Sequence, residues 1–175
     1  MTKHIRKDLD APASVAQAAP RLDLERYVPG LLTFLANKLS RGANAVYQNS
    51  FGVNVTEWRI MSLLAIEPGI AASRICQVIG YDKGPVSRTL EMMRKRDLIM
   101  MDDDPRDARR HKIALTEQGL VLHDAIIRVA LDRESRLLSC LNASEQAQLI
   151  TLLNALHSNL GAVAAPVANE ALSDA

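Results

Sequence analysis

Between Val86 and Gly119 the sequence leaves the chain little freedom. Two short apolar segments, Leu98 to Met101 and Ile113 to Leu115, flank a charged run centred on Asp104-Pro105. Proline presets one turn torsion and the aspartate before it favours a turn, so the run reads as a two-stranded hairpin. Its tip carries Arg106, Arg109 and Arg110. A helical run from Asp82 leads into the hairpin, and Thr116-Glu117-Gln118-Gly119 opens another helix after it. A short helix feeding a basic hairpin is the pattern of a winged helix-turn-helix. The rest of the chain reads as a frame that holds two copies of that unit at a fixed distance.

Composition narrows the partners. Aromatic residues make up 3% of the 175, too few for the stacking platforms of a single-strand binder. Net charge is +1, so any basic footprint is local; between Ile70 and Leu115 there is an excess of three positive charges. Cys76 and Cys140 lie far apart without ligand spacing, which argues against a disulfide framework or a zinc site. The N-terminus has no apolar core of signal-peptide length, and no run of about 18 apolar residues suggests a membrane span. The expected compartment is the cytoplasm.

The expected fold class is mainly α with a small β-hairpin wing: a winged helix-turn-helix joined to a helical dimerisation region. Residues 1–21 are rich in Ala and Pro without periodicity and read as a flexible arm, as do residues 162–175. From Leu22 a stripe of Leu24, Val28, Leu31, Leu32, Leu35, Leu39, Ala43 and Val46 predicts a first helix to about Ser50, with Pro29 marking a kink or the true start. Thr56 is the expected cap of a second helix that ends before Pro68-Gly69. A third runs from Ala71 to Ile79 and stops at Gly80; a fourth, capped by Asp82, runs to about Arg96. Thr116 caps a long fifth helix, and Asn142-Ala143-Ser144-Glu145 is a capping box for a sixth. The outer helices, in 22–54 and 116–161, are more apolar than one winged domain of residues 55–115 needs, which predicts an intersubunit bundle and a homodimer.

Lys83, Gly84, Pro85, Ser87, Arg88 and Thr89 occupy the first two turns of the fourth helix, the part that a recognition helix inserts into the major groove. Arg88 can donate two hydrogen bonds to a guanine edge, and Ser87 or Thr89 can reach bases or phosphates. An arginine at the hairpin tip suits the narrow minor groove, and Asp107 is placed to hold Arg109 extended. The acidic triplet Asp102-Asp103-Asp104 is awkward beside phosphate: it either points away from the duplex or braces an arginine. It lacks the ligand loop of a calcium site. No Gly-rich phosphate loop, Gly-x-Ser-x-Gly or metal-sharing histidine pair occurs, so neither an enzyme nor a cofactor is expected.

Five fragments in order and spacing carry a resemblance: Thr56-Glu57-Trp58-Arg59-Ile60, Asp82 to Arg88, Arg96-Asp97-Leu98-Ile99, Asp104 to Arg109 and Leu115 to Gly119. Together they resemble the MarR family of transcription regulators over roughly Leu24 to Leu160. The resemblance implies a homodimer, a recognition helix at Asp82 to about Arg96, and a wing from Leu98 to Leu115. It maps the minor-groove arginine onto Arg109 and its acidic companion onto Asp107. Asp97 stands where the family has glycine; aspartate tolerates a left-handed backbone better than most residues.

The resemblance further implies a repressor released from a pseudo-palindromic DNA operator by a small aromatic carboxylate or phenolic effector. The effector-lining candidates on that template are Arg41, Tyr47, Trp58 and His123. Each also has a structural reading: Trp58 as core, Arg41 as a solvated or intersubunit charge, and His123 as a helix-surface group. A redox-responsive regulator of the same fold is the alternative; both cysteines read as buried structural thiols without a cation to stabilise a thiolate. A winged module used for protein contacts is the reading from a different class.

Overall fold

The computed structural model describes residues 21–104 and 107–164, and of Asp104 and residues 107–110 the strand course alone. The elements run α1 (Val28–Phe51), α2 (Val55–Ile66), α3 (Ala72–Ile79), α4 (Lys83–Lys95), β1 (Ile99–Asp104), β2 (Asp107–Leu115), α5 (Glu117–Leu138), α6 (Ala143–Ser158) and a short α7 (Leu160–Val163). Two units divide the chain, Met1–Ala43 and Asn44–Ala175.

In the first unit the helix starts later than the apolar stripe suggests. Residues 24–26 form a turn, held where the Arg26 and Tyr27 amides donate to the Asp23 carbonyl at 3.1 and 2.8 Å. Pro29 therefore sits in the first turn, where its missing N–H costs nothing, and marks the true start rather than a kink. Leu31, Leu32, Phe34 and Leu35 stay exposed.

The second unit holds the buried core. Val53, Ile60, Met61, Ile75, Val86, Met93, Ile113 and Ile126 are wholly covered, so α2, α3, α4, α5 and the sheet meet on one apolar centre. Asn54, not Thr56, caps α2. The Asn54 carboxamide oxygen accepts from the Thr56 and Glu57 amides at 2.9 Å each, and the Asn54 amide in turn donates to the Glu57 carboxylate at 2.8 Å. Thr56 lies inside the first turn because the box closes one residue pair earlier. Gly80 ends α3 in the left-handed conformation at φ 68°, as expected of a C-terminal glycine there. Asp82 occupies the cap position of α4 without a side-chain bond to the helix.

The hairpin is longer than its apolar segments, because the charged residues continue the ladder. Ile99 pairs with Leu115 and Met101 with Ile113, and the register runs on through Asp102 opposite Lys112 and Asp103 opposite His111. A single bridge outside the two strands adds to it: the Gly69 amide donates to the Ile113 carbonyl and the Ile113 amide to the Ile70 carbonyl, each at 2.9 Å. Thr116 caps α5 by accepting from the Gly119 amide at 3.0 Å, and Asn142 and Glu145 form the capping box of α6. Helix α7 occupies residues expected to begin the C-terminal tail; the rest of both arms lies outside the described residues.

Candidate nucleic-acid interface and effector cluster

Helix α4 is two-faced. Val86, Leu90 and Met93 recur at helical spacing and are buried, while Lys83, Gly84, Pro85, Ser87 and Arg88 are exposed. Burying one side of a helix whose other side is basic leaves its N-terminal turns free to enter a groove. Thr89 is half-buried, and its hydroxyl donates to the Pro85 carbonyl at 3.0 Å, so it faces its own helix rather than outward. At the far end Arg94 pairs with Glu91, which holds that carboxyl below its usual range.

The C-terminus of α4 is anchored at a buried carboxylate. Arg96 donates from Nη1 to Glu57 Oε1 at 2.8 Å and from Nη2 to the Gly52 carbonyl at 3.0 Å. Asp97 follows with φ 54°, the left-handed turn that aspartate was expected to tolerate. Its carbonyl accepts from the Thr116 hydroxyl, so one residue turns the chain out of α4 and braces the cap of α5.

Two of the three acids of the triplet find partners across the sheet, whereas Asp104 stands opposite Asp107. Lys112 stands opposite Asp102, and His111 Nδ1 lies 3.0 Å from Asp103 Oδ1. The side chains of Asp107, Arg109 and Arg110, and Arg106 entirely, lie outside the described residues. Between α3, α4 and the sheet is a cavity of about 540 Å³ lined by Ser73, Lys83, Ser87, Glu91, Met101 and His111 among others.

Three of the four effector candidates come together. The Tyr47 and Trp58 rings are 5.8 Å apart and tilted, and Trp58 and His123 stack at 5.5 Å with 21° between planes. His123 is buried, with Nδ1 3.0 Å from Asp124 Oδ1, rather than lying on the helix surface. Trp58 keeps partial exposure. Sequence reasoning missed Arg133 of α5, whose charge favours the ionised Tyr47 phenol; burial nonetheless pushes that phenol's pKa up. Nothing in the local sequence pairs residues 47 and 133, so only the tertiary fold could reveal the contact. Arg41 is exposed on the part of α1 that belongs to the first unit. Arg59, also unmarked in sequence, contacts the Tyr81 hydroxyl and lies 5.5 Å from its ring, tying α2 to the turn between α3 and α4.

Of the two thiols, Cys76 is half-buried and Cys140 is exposed just past the end of α5, which corrects the reading of both as buried. Among the described residues no group of three or more His, Cys, Asp or Glu could hold a metal, and no helix is long and apolar enough to cross a membrane.

Two short helices joined at Gly80-Tyr81, followed by a β-hairpin bridged at Ile113 to Ile70, define a winged helix-turn-helix. A model of the MarR family matches residues 51–110. A crystal structure of a MarR/EmrR family transcriptional regulator from Acinetobacter sp. ADP1 is 31% identical, with a TM-score of 0.75 over 80% of this chain and 99% of that one. The HTH-type transcriptional repressor NicR of Pseudomonas putida is 25% identical over 122 residues, 68% of this chain and 77% of NicR. The PcaV transcriptional regulator of Streptomyces coelicolor, solved in complex with its natural ligand, shares the fold at 22% identity and a TM-score of 0.66, over 79% of this chain and 97% of PcaV. The chain belongs to the MarR family of transcription regulators, and its winged helix-turn-helix is a DNA-binding domain.

Proposed function

We propose that the protein is a homodimeric repressor, acting in the cytoplasm, that reads a pseudo-palindromic duplex and leaves it when a small effector binds. The observation that carries the reading is the exposed basic start of α4 lying beside the wing, with the helix's other face locked into the core. Lys83, Gly84, Pro85, Ser87 and Arg88 enter the major groove, with Arg88 as the principal base reader and Thr89 supporting the turn. Arg109 is assigned to the minor groove with Asp107 as its support, and Arg106 and Arg110 to flanking phosphates, on the family pattern and the chemistry of a basic wing.

Dimerisation through residues 22–54 and 116–161 is supported by apolar side chains that this chain leaves uncovered. These are Leu31, Leu32, Phe34 and Leu35 on α1, and Ile150, Leu152, Leu153 and Leu156 on α6. A two-fold dimer sets the half-sites about 10 base pairs apart. NicR, named a repressor, supports the direction of control. The bound ligand of PcaV supports an effector, and the cluster of Tyr47, Trp58 and His123 with Arg133 supports an aromatic carboxylate or phenol, ring against Trp58 and carboxylate on the guanidinium of Arg133.

The test is binding of the purified protein to the DNA upstream of its own gene, titrated with salt and with a panel of aromatic carboxylates, with mass measured by light scattering. Saturable, steeply salt-dependent binding of a dimer, abolished by one compound, is the expected result. Salt-insensitive binding without sequence preference would overturn it in favour of a protein-contact module. Binding that no compound disturbs would remove the effector.

A further inference from the structure

We propose that His111 is a proton-dependent phosphate contact of the DNA-binding face, so that each winged domain takes up a proton at this imidazole when it closes on a duplex. The inference rests on the assignment of α4 and the wing to DNA and goes beyond it by making the interface sensitive to pH.

The geometry fixes which ring nitrogen does the work. His111 stands opposite Asp103 in the hairpin register, and its Nδ1 is 3.0 Å from Asp103 Oδ1. A carboxylate accepts only, so this pairing places a hydrogen on Nδ1. In the neutral ring Nε2 is then a bare lone pair, which repels a phosphate oxygen. A proton added at Nε2 turns the same atom into a charged donor and the repulsion into a charge-assisted hydrogen bond.

The surroundings suit a phosphate. His111 lines one cavity with Lys83 and Ser87 of the first turns of α4 and with Ser73 in the first turn of α3, a cation and two hydroxyls on the face assigned to DNA. Among the described residues, the charged groups around the ring are Asp103 from β1, which pairs with it, and Lys83 and Glu91 from α4, which line the same cavity; α3 contributes Ser73. Glu91 is engaged by Arg94 at 3.0 and 3.1 Å and by Lys95 at 3.7 Å, so its charge is already answered. Lys112, next on β2, alternates to the opposite face of the sheet, opposite Asp102. His111 is 47% exposed, so the proton exchanges freely with solvent. Histidine is the side chain whose charge changes between about pH 5 and 8, and a ligand that prefers the protonated form must raise proton occupancy as it binds.

The probe is a mixed-sequence duplex of about 30 base pairs at constant ionic strength, because a phosphate contact needs no particular sequence. Affinity is measured at about pH 6 and about pH 8, and proton uptake by calorimetry in two buffers of different ionisation enthalpy. Wild type is expected to bind on the order of tenfold tighter at the lower pH and to take up protons. His111→Gln keeps a polar surface side chain and should lose that part of the pH dependence while melting as wild type does. Asp103→Asn keeps an acceptor for the Nδ1 hydrogen but removes the charge, and should move the transition to lower pH. If His111→Gln retains the full pH slope and proton uptake, the inference is wrong. If no variant binds duplex at any pH, the DNA-face assignment itself fails, a different outcome from binding without His111 linkage.

Discussion

Arg96 and Glu57 are 39 positions apart in sequence and 2.8 Å apart in space, with the carboxylate buried to 2% exposure. The same carboxylate closes the cap of α2, and the same guanidinium holds the Gly52 carbonyl at the end of α1. One ion pair therefore sets three element ends: the last turn of α1, the first turn of α2 and the exit of α4 that aims the recognition helix. Arg96→Ala leaves a buried carboxylate without its cation. It should cost about 1.5–3 kcal/mol in urea unfolding, the range for hydrogen bonds to charged groups. A cost within error of zero would show the pair to be incidental.

Gly119 is required by a close approach rather than by its torsions. A Cβ there would lie 2.1 Å from the Leu98 carbonyl oxygen, on backbone that anchors both the wing and the exit of α4. Gly119→Ala should lower stability by about 3 kcal/mol, at the upper end of overpacking costs, and read out as a depressed Tm. A melting temperature equal to wild type would mean that α5 can slide away from Leu98 freely.

Tyr47 gives a pH signature. Burial raises its pKa, with Arg133 opposing that shift, so the folded chain holds the phenolic proton more tightly than the unfolded one does. The contribution is fully present below the ordinary tyrosine value of about 10 and is lost as pH rises from there through the raised folded value. Tyr47→Phe should flatten the fall in stability over that alkaline window, measured by urea unfolding at stepped pH. An unchanged slope would place the alkaline loss on another group.

Arg109→Ala and Arg88→Ala separate the two proposed modes of DNA reading. Each should weaken operator binding by about 1–3 kcal/mol with the dimer intact. Loss of Arg88 should relax preference at one base pair, whereas loss of Arg109 should act at the flanking minor groove. Wild-type affinity in the Arg109 variant would remove the wing from the interface.

The local signals in this chain were strong where chemistry between near neighbours decides structure. Gly80 ended its helix, Asn142 and Glu145 closed their box, Thr116 capped α5, and the two apolar segments flanking the charged run paired as strands, while the turn expected at Asp104-Pro105 lies outside the described residues. Such features depend on torsions and hydrogen bonds within a few residues, so a sequence read alone determines them. It also carried the order of five fragments that marks the family. It misplaced the cap of α2 by two residues, because Thr56 and Asn54 are both good caps and only the reciprocal bond from Glu57 selects between them.

What the tertiary structure alone decided are relations between distant side chains. Arg96 finding Glu57, Arg133 finding Tyr47, Trp58 stacking on a buried His123, and Ile70 extending the sheet leave no periodic trace in sequence. The acidic triplet was the clearest case: read in line it looked hostile to DNA, yet the register sets Lys112 and His111 directly across from Asp102 and Asp103. Coulomb interactions depend on distance in space, and for charges on different strands that distance is fixed only once the strands pair.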